Sequence, residues 1–197
     1  CRAEVRSGRL YGSKWPVTDG GSADGAVVLA TEGGKTSLYL VELDATVEHT
    51  SMQSFDDSRP VSKLTFNGVP AQLLGEPGAG IELAAKILER VAVLFAFEQL
   101  GGADRCLEMA RDYALQRRAF GREIGSFQAI KHKLADMYVR NEISRSNAYL
   151  AAWALAENAI ELGVAAATAR IAACDAFEFA ARENLQVHGG IAITWEA

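Results

Sequence analysis

Residues 116–122 read Gln-Arg-Arg-Ala-Phe-Gly-Arg and place Arg117, Arg118 and Arg122 around a single glycine, Gly121. A guanidinium can hold a phosphate through two parallel hydrogen bonds, so this segment could bind an anion. The same arginines could instead complement the dipole at the end of a helix that Gly121 caps in the left-handed conformation. The residues alone leave both interpretations open.

Two further segments could also contact a ligand. Gln128 follows Phe127 at the predicted start of a helix, where its amide could cap that helix or hydrogen-bond a bound molecule. Gln186 precedes the pair Gly189-Gly190, where a helix is predicted to stop. A double glycine terminates helices, and it also lets backbone N–H groups approach a flat or phosphorylated ligand closely.

Several other kinds of site are excluded. Gly34-Lys35-Thr36 is similar to the end of a phosphate-binding loop, but Leu29 stands where that loop needs a glycine, so a hairpin turn is the better interpretation. No Gly-x-Ser-x-Gly segment and no Glu-x-x-His pair occurs. The three histidines lack the spacing of metal ligands, and no metal is predicted.

Composition narrows the class of protein. The 197 residues carry 20 basic and 25 acidic side chains, a net charge of -5 that argues against a dedicated nucleic-acid binder. Cys1, Cys106 and Cys174 lie far apart and predict neither a disulfide scaffold nor a zinc site. No apolar run near mid-chain approaches the ~20 residues of a membrane helix, and no leader is visible. We therefore expect a cytoplasmic protein.

The chain divides into two halves of different character. All four prolines fall within the first 80 residues, where short β-branched runs alternate with Gly, Asp and Ser clusters. This half, residues 1–78, predicts an antiparallel meander in which Asn67-Gly68 is a turn. The predicted strands are Lys14–Val17, Ala26–Ala30, Ser37–Leu43, Val47–Ser54 and Val61–Phe66.

Residues 79–197 contain no proline and are rich in Ala and Leu, which predicts a helical domain. Apolar residues at three- and four-residue spacing predict helices over roughly 87–115, 127–158 and 164–187. Repeated alanines allow these helices to approach closely, as in a bundle. Gly101-Gly102 lies inside the first helix and requires a packing or ligand reason.

Taken in order, these segments are similar to the acyl-CoA dehydrogenase family over essentially the whole chain. The β-half supplies the first two of these segments and the helical half supplies the other three. The matching segments are Gly12-x-Lys14 with Thr18, Phe66–Pro70 followed by Leu73-Leu74-Gly75, Arg117-x-x-Phe120-Gly121, Phe127-Gln128 with Leu134–Met137, and Gln186-x-His188-Gly189-Gly190.

The resemblance implies an α+β protein, with a partial middle β-domain followed by an up-and-down helical bundle. It also implies that FAD lies between the two domains and partly across a subunit interface. Arg117 would hold the pyrophosphate of a neighbouring subunit's FAD, with Phe120 packed nearby. The other implied contacts are Gln128 toward the adenine half, Gln186 with Gly189 and Gly190 toward the pyrophosphate and ribityl chain, and Thr18 beside the flavin ring.

The implied reaction is α,β-dehydrogenation of an acyl-CoA thioester. A carboxylate would remove the α-proton while the β-hydride passes to N5 of the flavin. The implied partners are an electron-transfer flavoprotein and further copies of the chain, as a tetramer built on the C-terminal helices or a heteromer with a related subunit. Use of O₂ as the acceptor stays open.

The chain departs from the family pattern in three places. The N-terminal helical domain is missing, and the sequence stops at Trp195-Glu196-Ala197, before the segment where many members carry the catalytic Glu. Val91 occupies the alternative position of that base. Glu98 shares the helix face of Val91 about 10 Å further along, at 1.5 Å per residue, and either has a structural role or belongs to the pocket. Glu89 points roughly 200° around the helix. The catalytic base is therefore left unassigned, with Glu98 and Glu89 as weak candidates.

Two explanations of the missing parts remain. The sequence belongs to a longer protein, which we favour because a sheet that begins midway would leave an exposed edge. Alternatively, it is a divergent, non-catalytic subunit of a heteromeric dehydrogenase. A third class, a helical interaction module that binds no cofactor, predicts oligomers without flavin.

Overall fold

The computed structural model describes residues 3–56 and 58–194. Cys1 and the terminal segment Trp195-Glu196-Ala197, both used in the sequence argument, lie outside the described residues. By its own contacts the chain divides into two compact units, Cys1–Ile87 and Leu88–Ala197. The first unit is a β-sheet and the second is helical, as the resemblance implied for the fold class.

The sheet unit contains seven strands in one sheet, ordered β5-β6-β2-β1-β3-β4-β7. The expected meander is wrong in detail, because β6 pairs with β2 and β1 pairs in parallel with β3. The other pairings in this sheet are antiparallel. The strands are β1 (Ala3–Arg6), β2 (Arg9–Thr18), β3 (Gly25–Glu32), β4 (Lys35–Glu42), β5 (Glu48–Met52), β6 (Val61–Pro70) and β7 (Gln72–Leu74).

Two glycine-containing segments of the sheet are predicted to be turns, and only one of them is. Gly33 and Gly34 both have positive φ between the paired residues Glu32 and Lys35, so the segment is a two-residue hairpin turn rather than a phosphate loop. The prediction of a turn at Asn67-Gly68 is wrong. Gly68, with φ of 80°, is the extra residue of a β-bulge inside β6, because β2 skips it between Tyr11 and Leu10.

The sheet buries alternate side chains on one face, as the period of a half-buried strand requires. Leu10, Val41, Leu64 and Phe66 are each at most 1% exposed and form the centre of this core. Full burial of such side chains stabilises the fold by about 1.5–3 kcal/mol each, which fixes the register of the strands that carry them.

Three long helices follow: α1 (Gly80–Gln116), α2 (Gln128–Ala156) and α3 (Leu162–His188). The predicted helix ends are close to those observed, except that α1 begins earlier, at Gly80. One core cluster joins the start of α3 to the end of α2, and a second joins the end of α3 to the start of α2. The helices of this unit therefore run up and down. Within the described residues, none of the helices has the length and apolarity needed to cross a membrane.

The interior of the helical unit is built mainly from alanine. Small side chains let helix backbones approach closely, and Gly102 continues this pattern, since a Cβ there would lie 2.7 Å from the Phe177 ring. Gly102 therefore has the packing reason that the sequence required. The buried alanines are Ala96, Ala103, Ala110, Ala114, Ala148, Ala151, Ala154, Ala165, Ala166, Ala169, Ala173, Ala176 and Ala180.

Candidate functional site

Arg117 is the first residue after α1, and its backbone is held on both sides. Its N–H donates to the Tyr113 carbonyl at 2.8 Å, and its own carbonyl accepts the Ile124 N–H at 2.8 Å. Its side chain is exposed. In the described part of the chain it is the only arginine whose guanidinium makes no hydrogen bond, ion pair or ring contact. This charge is therefore available to an external anion.

A short hairpin follows, with β8 (Arg118–Ala119) paired to β9 (Arg122–Glu123). Phe120 and Gly121 form its turn with φ of 52° and 81°. The expectation that Gly121 caps the helix is therefore wrong, because the left-handed glycine belongs to a two-residue hairpin turn. Phe120 is 95% exposed, and a bulky residue at positive φ is strained.

The aromatic ring of Phe127 supports this hairpin. The Arg122 guanidinium lies 4.1 Å from its centroid, and the Phe120 ring meets it edge-on at 6.2 Å. Phe127 is also the N-cap of α2, where no side chain caps the helix. Gln128 is the first residue of α2 and its side chain is exposed. Its amide is therefore available to hydrogen-bond a ligand.

At the other end of the site, α3 stops at His188. Gly189 follows with φ of 64° and donates its N–H to the Leu185 carbonyl at the helix end. Neither Gly189 nor Gly190 has any atom within 4 Å of the place where a Cβ would stand. Backbone at these two positions is thus open to close approach by a ligand. Gln186, in the last turn of α3, is exposed.

These two ends meet in one open groove of about 520 Å³, here called the Arg117 groove. The structure thereby brings Arg117, Gly189 and Gly190 together. Phe120, Gln128 and Gln186 belong to the same helical unit but do not line this groove, and Thr18 lies in the other unit. The lining residues are Tyr113, Arg117, Ile124, Val187, His188, Gly189, Gly190 and Ile191.

Tyr113 and His188 also line the groove, although the sequence predicts no role for either. His188 stands in the matched segment Gln186-x-His188-Gly189-Gly190, and Tyr113 stands in none of the matched segments. Their rings stack with centroids 4.3 Å apart and planes inclined by 26°. Tyr113 stands one helical turn before Arg117 and His188 directly before Gly189, so their positions relative to the two motifs could have suggested a role. One turn before His188, the Asn184 side-chain oxygen is buried with no partner among the described residues. Such an unsatisfied acceptor often marks a missing ligand or water.

The two candidate bases stand in different surroundings. Glu89 is half-buried, and a Cβ on Gly163, in the first turn of α3, would lie 3.1 Å from its carboxylate. A negative charge is favoured beside a helix start, which indicates a structural role for Glu89. Glu98 is exposed on α1, and Val91 on the same face is half-buried. No group of three or more metal-binding side chains occurs in residues 3–56 and 58–194.

Thr18, the expected neighbour of the flavin ring, ends strand β2 in the sheet unit. It pairs with Val61 of β6, and its side chain is exposed. An exposed hydroxyl at a strand end can contact a ligand without disturbing the sheet core.

The chain thus combines a seven-stranded sheet unit with an alanine-packed helical unit that carries the Arg117 groove. The family description "Acyl-CoA dehydrogenase, C-terminal domain" matches residues 78–197. Acyl-CoA dehydrogenase IpdE2 of Mycobacterium tuberculosis is 40% identical over 183 residues, covering 89% of this chain and 54% of the relative. An acyl-CoA dehydrogenase of Bacillus subtilis is 36% identical over 192 residues, which cover 92% of this chain and 50% of the Bacillus protein.

Solved structures agree with these relatives. Butyryl-CoA dehydrogenase from Megasphaera elsdenii superimposes with a TM-score of 0.90 at 31% identity, over 99% of this chain and 54% of that one. The ChsE4-ChsE5 complex from Mycobacterium tuberculosis superimposes with a TM-score of 0.83 at 29% identity, over 98% of this chain and 53% of the matched chain. The chain belongs to the acyl-CoA dehydrogenase family. It spans about half the length of the relatives it matches.

Proposed function

We propose that this chain takes part in the α,β-dehydrogenation of an acyl-CoA thioester with FAD as cofactor. FAD, when bound, supplies the acceptor for the β-hydride at N5, while a protein carboxylate takes the α-proton. The observation that carries this proposal is the unpaired Arg117 guanidinium beside Gly189 and Gly190 in one groove, in a chain of this family.

The residues of the groove fit a dinucleotide. A guanidinium without an internal partner can make charge-assisted, bidentate bonds to a pyrophosphate. Gly189 and Gly190 have free space at the Cβ position, so a phosphate can come close to the backbone at both residues. We assign Arg117, Gly189 and Gly190 to the pyrophosphate region of FAD.

The remaining cofactor contacts are proposed from the motif match, supported by exposure. Gln128 and Gln186 are exposed at the ends of their helices, so their amides can hydrogen-bond the adenine and ribityl portions. Phe120 projects from its hairpin and offers an aromatic face. Thr18 is proposed beside the flavin ring.

The catalytic base remains a proposal between Glu98 and Glu89. Glu98 is the better candidate of the two, because it shares a helix face with Val91 and is accessible, whereas Glu89 lies against Gly163 at the start of α3. A base on another segment or chain would make neither of them catalytic.

We further propose an electron-transfer flavoprotein as electron acceptor and a homo-oligomer, a tetramer, as the working assembly. One structural neighbour, with a TM-score of 0.88, is named as an electron transferring flavoprotein of Acidaminococcus fermentans. Support for the oligomer comes from one face of α2, where four large apolar side chains are each more than half exposed. They are spaced four, seven and three residues apart: Val139, Ile143, Leu150 and Trp153. Sedimentation velocity measures the assembly.

A second candidate function is a subunit without its own base in a heteromeric dehydrogenase. Val91 at the alternative base position favours it, and it is supported by two neighbours whose names pair two chains, ChsE4-ChsE5 and Tcur3481-Tcur3483. This subunit would bind FAD without oxidising substrate alone.

An absorbance scan with a matched pair of variants tests the proposal. The purified chain should bind FAD, and Arg117→Ala should weaken binding about 10- to 100-fold, the usual value of a charged hydrogen-bond donor. Arg105→Ala is the control, since Arg105 lies on α1, which ends just before Arg117, and is paired with Glu108 at 3.1 Å. Equal FAD binding by both variants would contradict the assignment.

Substrate addition then separates the two candidate functions. Bleaching of bound flavin by a panel of CoA thioesters indicates that a base is present, and bound flavin that does not bleach until a partner is added favours the subunit without a base. A chain that binds no FAD at all overturns both.

A further inference from the structure

We propose that the stacked pair Tyr113–His188 is a positioning device that holds the two walls of the Arg117 groove at a fixed distance. The inference rests on the proposed function, because it assumes that the groove takes the diphosphate of a dinucleotide. Neither residue needs to touch the reacting atoms, so both are positioning residues.

The first wall is fixed through Tyr113. This residue lies one turn before Arg117 on α1, and its carbonyl accepts the Arg117 N–H at 2.8 Å. Tyr113 and Arg117 both line the groove, so the two residues face the same side at the end of α1. The backbone that carries the Tyr113 ring therefore also holds the base of Arg117.

The second wall is fixed through His188. Its Nδ1 lies 2.9 Å from the Asn184 carbonyl, and because a carbonyl can only accept, Nδ1 carries a proton and donates. The ring is thus held in one orientation on the last turn of α3. Gly189 and Gly190, which have no side chains to brace them, follow immediately.

The stack joins these walls across two helices that are far apart in the sequence. The two rings, 4.3 Å apart and inclined by 26°, form a stacked contact that stabilises the pair beyond the burial of its surface. Both residues are half-buried, which limits competition from water. Pre-forming a binding groove reduces the ordering that a ligand must impose, and affinity rises accordingly.

The test compares variants that keep or remove the aromatic face. Tyr113→Phe retains the ring and should bind FAD within about twofold of the unmodified chain, whereas Tyr113→Leu should bind about three- to tenfold more weakly. The matched control is Tyr149→Leu, because Tyr149 also pairs with an aromatic ring of the same unit, Phe97 at 5.4 Å, away from the groove. Equal loss in both leucine variants would overturn the inference.

A second readout does not depend on FAD. Backbone hydrogen exchange of Gly189–Ile191 should be about three- to tenfold faster in Tyr113→Leu than in the unmodified chain, and near normal in Tyr113→Phe. Unchanged exchange in Tyr113→Leu overturns the positioning role even if FAD binds. Faster exchange together with no FAD binding by the unmodified chain supports the positioning role and overturns the proposed function instead.

Discussion

At the scale of single residues, two adjacent glycines of α1 differ sharply in what surrounds them. Gly101 has no atom within 4 Å of the place where a Cβ would stand, whereas a Cβ on Gly102 would lie 2.7 Å from Phe177. Both glycines lie in α1, and each can be replaced by alanine. Comparing the two variants therefore distinguishes the effect of helix propensity from the effect of packing.

We expect Gly101→Ala to raise the free energy of unfolding by about 0.5–1 kcal/mol, because alanine favours helix over glycine. Gly102→Ala should lower it by about 1–3 kcal/mol, because the Phe177 ring must move from its packed position. Urea denaturation followed by circular dichroism measures both. A Gly102→Ala protein as stable as Gly101→Ala would contradict the close approach of α1 and α3.

The same scale shows where sequence reasoning succeeds and where it stops. Arg117, Gly189 and Gly190 could be predicted as neighbours only through the motif match, since no local pattern joins residues so far apart. The left-handed conformation of Gly121 is predictable from its residue type, but its role in a hairpin turn is not. Two-residue strands such as β8 and β9 are too short for any periodicity to indicate them.

At the scale of elements, a polar network joins α1 to α2 inside the helical unit. Asp104 accepts hydrogen bonds from Asn141 at 3.0 Å and from Arg145 at 2.7 Å, and Arg145 also contacts Glu142. These carboxylates, Asp104 foremost, raise the pKa of Arg145 above its ordinary value. Asn141 is fully buried, so this contact fixes one register of the two helices.

We expect Asp104→Ala to destabilise the protein by about 1–3 kcal/mol, because it leaves the buried Asn141 amide without its acceptor and removes one of the two carboxylates that contact the Arg145 guanidinium, which is 37% exposed. Glu108→Ala, one turn later on α1, removes an exposed pair with Arg105 and should change stability by less than about 0.5 kcal/mol. Chemical denaturation compares them. Similar losses of unfolding free energy in the two variants would show that the Asp104 network stabilises the protein no more than an exposed ion pair does.

The elements themselves are largely predictable, for a physical reason. Long proline-free, periodic stretches carry their helical signal within a few turns, so the predicted ends lie within two residues of those observed, except that α1 begins seven residues before its predicted start. The sheet order is not predictable in this way, because pairing of β6 with β2 and of β1 with β3 depends on contacts distant in sequence. The Asn67-Gly68 prediction fails because a bulge and a turn use the same residue types.

At the scale of the whole molecule, alkaline pH should weaken the folded state through Tyr39. This tyrosine is 2% exposed, and burial, together with its hydrogen bond to Glu32 at 3.0 Å, raises the pKa of its hydroxyl above the ordinary value of 10.0. The folded protein thus keeps this proton at pH values where the unfolded chain releases it. The stabilisation is complete below about pH 10 and is lost as pH rises through the raised pKa.

We expect the free energy of unfolding to fall more steeply above pH 10 in the unmodified chain than in Tyr39→Phe, which has no proton to lose. Ultraviolet difference absorbance of tyrosinate should lose its late-rising component in the same variant. Tyr138→Phe, at a residue 56% exposed, serves as the comparison. A pH dependence unaffected by Tyr39→Phe would contradict the burial of that hydroxyl.

The alanine interior of the helical unit has a consequence for how this protein can change over evolutionary time. A buried alanine has only one methyl group, so a smaller residue removes little apolar volume. A larger side chain at the same position forces the neighbouring backbones apart. Drift inside the bundle is therefore confined to a narrow choice of amino acids. Laboratory selection for heat tolerance should collect its beneficial changes on helix ends, loops and outward faces instead.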